Sequence, residues 1–185
     1  MGDIAQWIRQ LIDTEPRTRE LAASALYREG VALGGSAVAR WHEDAECKEM
    51  LGAATVGIAV QPEQFGKIRA VNGTPPLADV PPDQDAMEFE LHFGTPVRLD
   101  ILTTKAPGGG GAIDKFLQKF GEGIQQIEYL VPDVDRATEL VRERIGIKSI
   151  YPQTRDGADG TRVNFFLVPT PDGKKVLIEL VEKKN

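Results

Sequence analysis

Hydrophobic residues recur along this chain with two periods, and the switch between them divides it. Up to residue 52 the period is helical. Ile4, Trp7, Ile8, Leu11 and Ile12 fall at i, i+3, i+4, i+7 and i+8, and Asp3 stands ahead of them as an N-cap. Pro16 can open a second helix that turns Leu21, Ala22, Ala25 and Leu26 inward. Gly34 and Gly35 are expected to break it. Ser36 then caps a third helix with Val38, Trp41 and Ala45 on one face, and Gly52 stops it.

From Thr55 the period becomes two. Val56, Ile58 and Val60 alternate with Thr55, Gly57 and Ala59, as in a strand. Pro62 to Arg69 is a short helix, and the proline-rich stretch from Asn72 to Asp83 is irregular. Met87 to Phe93 and Val97 to Thr103 are strands joined at Gly94-Thr95-Pro96. Gly108 to Gly111 leads into a helix from Ile113 to Phe120. The last third predicts a strand (Ile124 to Val131), a helix from Pro132 and Asp133 to Arg144 and a strand (Ile147 to Tyr151). A loop (Arg155 to Gly160), a strand (Arg162 to Val168), the Pro171-Asp172-Gly173 turn and a final strand (Lys174 to Val181) follow. That order is β-α-β-β-β, and Thr55 to Thr103 is a weaker copy of it, the mark of a diverged internal repeat. The expected fold class is α+β. The expected organisation is a helical N-terminal segment (1–52), a degenerate first module (53–104), a linker helix (105–123) and a second module (124–185).

Composition narrows the function. The chain has 185 residues, 41% hydrophobic and 27% charged, as in an ordinary globular protein. A net charge of -6 argues against nucleic-acid and anionic-membrane partners, which reward a basic surface. The single cysteine, Cys47, leaves no internal disulfide and suits a reducing compartment. Asp3, Gln6, Arg9 and Gln10 interrupt any apolar signal core, and no segment reaches the roughly 20 apolar residues of a membrane span. A cytoplasmic location is expected. Gly108 to Gly111 lacks the Gly-Lys-Ser/Thr ending of a phosphate loop and reads as a linker. Cys47 and His42 carry no signature of chemistry.

The run Phe116-Leu117-Gln118-Lys119-Phe120-Gly121-Glu122-Gly123-Ile124-Gln125-Gln126-Ile127 resembles the inter-module helix and second-module opening of methylmalonyl-CoA epimerases, which read much like "KFLEKRGEGIHHIAF". Val131-Pro132-Asp133-Val134-Asp135, Arg162-Val163 and Val176 to Glu182 extend the likeness. Val56 to Val60 resembles the family's first strand, and Leu99-Asp100-Ile101-Leu102 its "IELLE" strand. The resemblance covers about Thr55 to Lys183. It implies the vicinal-oxygen-chelate (glyoxalase/bleomycin-resistance/dioxygenase) fold, in which paired modules form a curved sheet around a cavity and each supplies two metal ligands. Carried over, the ligand positions are Thr55, Asp100, Gln126 and Glu179. The epimerases have histidine at the positions of Thr55 and Gln126, and some relatives use glutamine.

Strand parity gives an independent reading. Asp100, Gln126 and Glu179 each have an apolar neighbour on the opposite strand face. If Phe93 pairs with Val97, Glu90 lies across from Asp100 and His92 across from Arg98. Glu90, His92, Arg98, Asp100, Gln126, Glu128 and Glu179 then gather on one concave surface. Oxygen donors favour Mg²⁺, Mn²⁺ or Ca²⁺ over Zn²⁺. Such a metal would polarise a carbonyl while Glu90 or His92 moved a proton, with Arg98 and Glu128 binding substrate. The expected activity is a metal-assisted isomerase or lyase on a small carbonyl or carboxylate compound. The alternatives are a metal-free, non-catalytic binder of the bleomycin-resistance type, and a scaffold whose N-terminal helices make a homodimer.

Overall fold

The computed structural model describes residues 3–183. The fold is α+β, and the chain divides into two compact units. The first runs through Gly30 and resumes over Thr55–Gln125; the second takes Val31–Ala54 and the chain from Gln126 onward. Three N-terminal helices are α1 (Ile4–Gln10), α2 (Pro16–Ala37) and α3 (Ala45–Met50). Asp3 caps α1, accepting the Gln6 N–H at 2.9 Å. No helix among the described residues is long and apolar enough to cross a membrane.

Two features of α2 differ from expectation. Gly34 and Gly35 do not break it; it continues to Ala37. A Cβ on Gly34 would stand 2.8 Å from Ile127 Cγ2 and from the Tyr129 hydroxyl. Glycine is there for close approach of helix to sheet, at a helix cost of about 1 kcal/mol. Gly30 repeats the device: its Cβ would fall within 2.6 Å of both Val56 methyls. Leu21 is 56% exposed, while Ala22, Ala23, Ala25 and Leu26 are buried. The small residues let the helix lie close, and the bulky one is turned out. Ser36 consequently sits inside α2 and caps nothing; Asp44 caps α3, accepting the Cys47 N–H at 3.0 Å.

In the first unit, β1 (Ala54–Ala59) is followed by α4 (Pro62–Val71), β2 (Met87–His92), β3 (Arg98–Thr103) and α5 (Ala112–Phe120). Strand order is β2-β3-β1, antiparallel then parallel. Val56, Ile58, Phe89, Leu91, Leu99 and Ile101 share one face and are all buried. Each contributes roughly 1.5–3 kcal/mol on leaving water. Phe65 of α4 meets Phe89 edge-on, 4.8 Å between ring centres. At one end of the opposite face, α5 packs Ile113 and Leu117 over Ala59, Ala86 and Leu102.

The glycine run ahead of α5 is tied down. Buried Asp114 accepts the Gly108 N–H at 2.9 Å and the Gly110 N–H at 2.8 Å, which holds its carboxyl below the usual carboxylate range. Gly108 and Gly110 both lie at positive φ, 79° and 77°, which glycine adopts without strain.

In the second unit, β4 (Gly123–Leu130) is followed by α6 (Val134–Leu140), β5 (Arg155–Asp156), β6 (Arg162–Pro169) and β7 (Lys175–Glu182). Strand order is β4-β7-β6-β5. Ile127, Ile178, Leu180, Phe166 and Val168 share a buried face, where Trp41 meets Phe166 edge-on at 5.8 Å. Asp133 caps α6.

The strand expected over Ile147 to Tyr151 is absent. α6 gives way to a π turn over Val141–Ile145, and Gly146 leaves it left-handed at φ 77°. The segment beyond makes one ladder-like bond, Ile150 N–H to the Phe165 carbonyl at 2.7 Å. The second strand of the unit is instead Arg155–Asp156, inside the stretch expected as loop.

Candidate active site

The face of β4, β7 and β6 opposite the helices is a grid of three rows. Gln126, Leu177 and Leu167 make the first, Glu128, Glu179 and Phe165 the second, and Leu130, Val181 and Val163 the third. Parallel pairing sets Glu128 directly beside Glu179. Gln126 and Glu179 are each 8% exposed. The Gln126 amide nitrogen donates to Glu179 Oε2 at 2.7 Å and to Glu128 Oε1 at 3.2 Å. Two carboxylates thus share one amide donor within an apolar surround. A carboxylate withdrawn from water requires such a donor, since an unmet one costs several kcal/mol.

One edge of this grid is aromatic. The Tyr151 ring meets Phe165 edge-on at 6.0 Å, and the Arg155 guanidinium lies 4.5 Å over the Tyr151 ring. Leu167 is 45% exposed, so the first row is not covered by the unit's own helices. None of Phe165, Tyr151, Arg155 or Leu167 was singled out from sequence. The Asn164-Phe165-Phe166 run held the signal: two successive aromatic residues in a strand must face opposite ways.

The first unit has its own polar face. β2 and β3 pair in the register expected from the turn, with Phe93 N–H to the Val97 carbonyl at 3.1 Å. Glu90 is the partner of Asp100 and His92 of Arg98. His92 Nε2 and Glu90 Oε2 are 2.8 Å apart, both side chains more than half exposed. Asp100 is buried at 6% exposure, and its neighbour on β1 is Gly57, which has no side chain to cover it. Thr55, half-buried, lies two residues before Gly57 on the same face.

A divalent cation is the cofactor this fold brings to mind, and its fit to the donor set can be tested within the second unit. Gln126 presents N–H groups, not its carbonyl oxygen, to Glu179 and Glu128. The amide nitrogen stands where a cation shared by those carboxylates would stand. Among the described residues no three of His, Cys, Asp and Glu are gathered as a metal cluster. As arranged, the second-unit donors do not fit an ion.

No protein-family model matches the sequence, and no curated protein matches it. Solved structures do match. Methylmalonyl-CoA epimerase from Mycobacterium tuberculosis is 28% identical, with 74% of this chain and 91% of that one covered and a TM-score of 0.58. A hypothetical protein from Bacillus halodurans C-125 is 27% identical, covering 72% and 95%, TM-score 0.58. A variant of Streptomyces coelicolor methylmalonyl-CoA epimerase in complex with 2-nitronate-propionyl-CoA is 24% identical, covering 74% and 99%, TM-score 0.57, a likeness of fold.

Proposed function

We propose that this chain, which has the vicinal-oxygen-chelate (glyoxalase-type) fold of the methylmalonyl-CoA epimerases, is an epimerase-like isomerase. Its substrate class is a small acyl thioester or carboxylate with an acidic proton beside a carbonyl. The observation that carries the reading is the Gln126 amide bridging Glu128 and Glu179 in an otherwise apolar floor. Glu179, held by that amide, takes the proton from carbon; the proton is exchanged with water or passed to neighbouring Glu128, and the carboxylic acid so formed returns a proton to the carbanion, leaving both carboxylates as they began. Positioned proton transfer of this kind contributes about 10²–10⁴ in rate. Leu167, Leu177 and Phe165 receive the apolar part of the substrate, and Arg155 is assigned to its negative charge. The His92–Glu90 pair is the second candidate for the proton step.

No step is routed through a metal. A cation held in the second unit by Gln126 and Glu179 would require the Gln126 amide to turn over, and oxygen donors would then favour Mg²⁺, Mn²⁺ or Ca²⁺. Metal analysis of the purified protein, parent against Glu179→Ala, tests whether such a cation is held.

Methylmalonyl-CoA, named with the solved relatives, is the first compound to try. In D₂O the protein should catalyse loss of its α-proton NMR signal, and Glu179→Gln should slow this about 10²–10⁴-fold. A parent protein that exchanges no proton from any acyl-CoA tested overturns the catalytic reading. The exposed Leu167 favours one alternative, a binder without turnover. In that case a ligand at 100 times its Kd still adds about 2.7 kcal/mol of stability, visible as a raised Tm.

A further inference from the structure

Between two neighbouring carboxylates a folded chain can place a cation, an arginine or lysine, or the positive end of a dipole. The second unit uses a dipole. Parallel pairing sets Glu128 beside Glu179, and alternation brings Gln126 to the same face two residues before Glu128. Gln126 itself pairs with Leu177, so Glu179 is its diagonal neighbour, a separation that long side chains span. Its amide nitrogen reaches Glu179 Oε2 at 2.7 Å and Glu128 Oε1 at 3.2 Å.

Ionised carboxylates only accept hydrogen bonds, so the end of the amide between them has to be the NH₂. That group has two protons, and each carboxylate takes one. Nothing on the nitrogen is then left for a metal. Its lone pair is spread into the carbonyl, and its N–H dipoles point their positive ends at the place a shared cation would take. Amide and cation are therefore alternatives for one position. The side chains of Leu177, Leu167 and Phe165 around it add no oxygen, and Gln126 and Glu179 are both buried. A hard divalent cation takes about six oxygens or more, and this surround cannot complete that shell.

We propose that the Gln126 amide replaces a divalent cation. Gln126 is then a positioning residue: it holds the Glu128–Glu179 pair together and sets the Glu179 carboxylate in place, and this floor works without metal. The exchange of amide for cation stands on the hydrogen bonds; the effect on rate rests on the reading of Glu179 as the base.

The test is Mn²⁺ uptake by the intact, chelator-treated protein, followed through the EPR signal of the free ion. The parent should take up no ion that depends on Glu179. Gln126→Glu keeps the length of the side chain and turns its donors into acceptors. The three carboxylates should then bind one Mn²⁺ about tenfold or more tightly than the parent binds any. Uptake of one Mn²⁺ by the parent that Glu179→Ala abolishes overturns the proposal, and so does a folded Gln126→Glu that gains nothing. Should Gln126→Glu fail to fold, the parent decides alone. Its Gln126 side-chain NH₂ signals in ¹H–¹⁵N spectra should stay in place as Mg²⁺ is added; a saturable shift overturns the proposal.

Where the parent exchanges a proton of an acyl thioester, Gln126→Leu should lower kcat about tenfold or more and leave KM within about threefold. EDTA should leave the parent's rate unchanged. A loss confined to KM, or a rate that EDTA abolishes and Mg²⁺ restores, overturns the proposal. A parent that exchanges no proton overturns the catalytic reading instead, and the Mn²⁺ titration still decides between amide and cation.

Discussion

The two polar faces of the molecule are built from similar strands and differ in what surrounds their charges. On β2 and β3, Glu90 and His92 pair with each other in the open, with Arg98 beside them and buried Asp100 as the exception. On β4 and β7, two carboxylates stand side by side with one amide between them and leucine, valine and phenylalanine around. An exposed opposite-charge pair is worth about 0–1 kcal/mol and is an ordinary way to finish a sheet surface. Like charges side by side in an apolar surround cost stability, and they persist where the chemistry of the site uses them. The contrast teaches that charge content alone does not mark a site; its company does.

The largest effect expected is on turnover. Glu179→Gln should lower proton exchange about 10²–10⁴-fold with the fold retained, whereas Glu90→Gln should change it less than about tenfold. Equal losses in the two variants would erase the distinction between the faces. Glu179→Ala should in addition destabilise by about 1–3 kcal/mol, because the Gln126 amide loses its 2.7 Å acceptor. Denaturant melts of the two variants separate the effects.

A packing contrast comes next. Gly34→Ala puts a methyl 2.8 Å from Ile127 and should destabilise by about 1–3 kcal/mol, despite the better helix former. Gly35→Ala meets nothing within 4 Å and should stabilise by about 1 kcal/mol. Opposite signs in denaturant midpoints are the signature; two stabilisations would show that the back of the second unit is not closely packed. Smaller still, His92→Gln should alter stability by no more than about 1 kcal/mol at pH 7, since its partner is exposed.

A last effect, visible only at high pH, concerns Cys47. Burial, then the charge of Asp44, raises its thiol from the ordinary 9.0 to about 11. The folded state keeps the proton that the unfolded state gives up. Its contribution is therefore complete below pH 9 and is lost as the pH climbs toward 11. The parent should lose stability over that window faster than Cys47→Ala; parallel pH profiles would refute the shift.

Much of the second unit was legible because its signals are local. Period-two alternation placed β4, β6 and β7 within a residue or two, and the Gly94-Thr95-Pro96 turn fixed the register that pairs Glu90 with Asp100. The misses came from tertiary context. Gly34 and Leu21 obey the demands of a helix lying close on a sheet, which no helical period can express. Ile147 to Tyr151 has strand composition but follows a π turn and leads to Pro152, and among the described residues its one backbone bond to the sheet is from Ile150. Parity named Gln126, Glu128 and Glu179. It gave no sign that the Gln126 amide would donate to both carboxylates, nor that Tyr151, Phe165 and Arg155 would border them.

One titration weighs the two faces directly. Glutamate side-chain carboxyls, labelled with ¹³C, are followed by NMR while a short acyl-CoA thioester is added. The Glu128 and Glu179 signals should move together and saturate, with Glu90 stationary. Movement of Glu90 while Glu128 and Glu179 stay fixed would contradict the account.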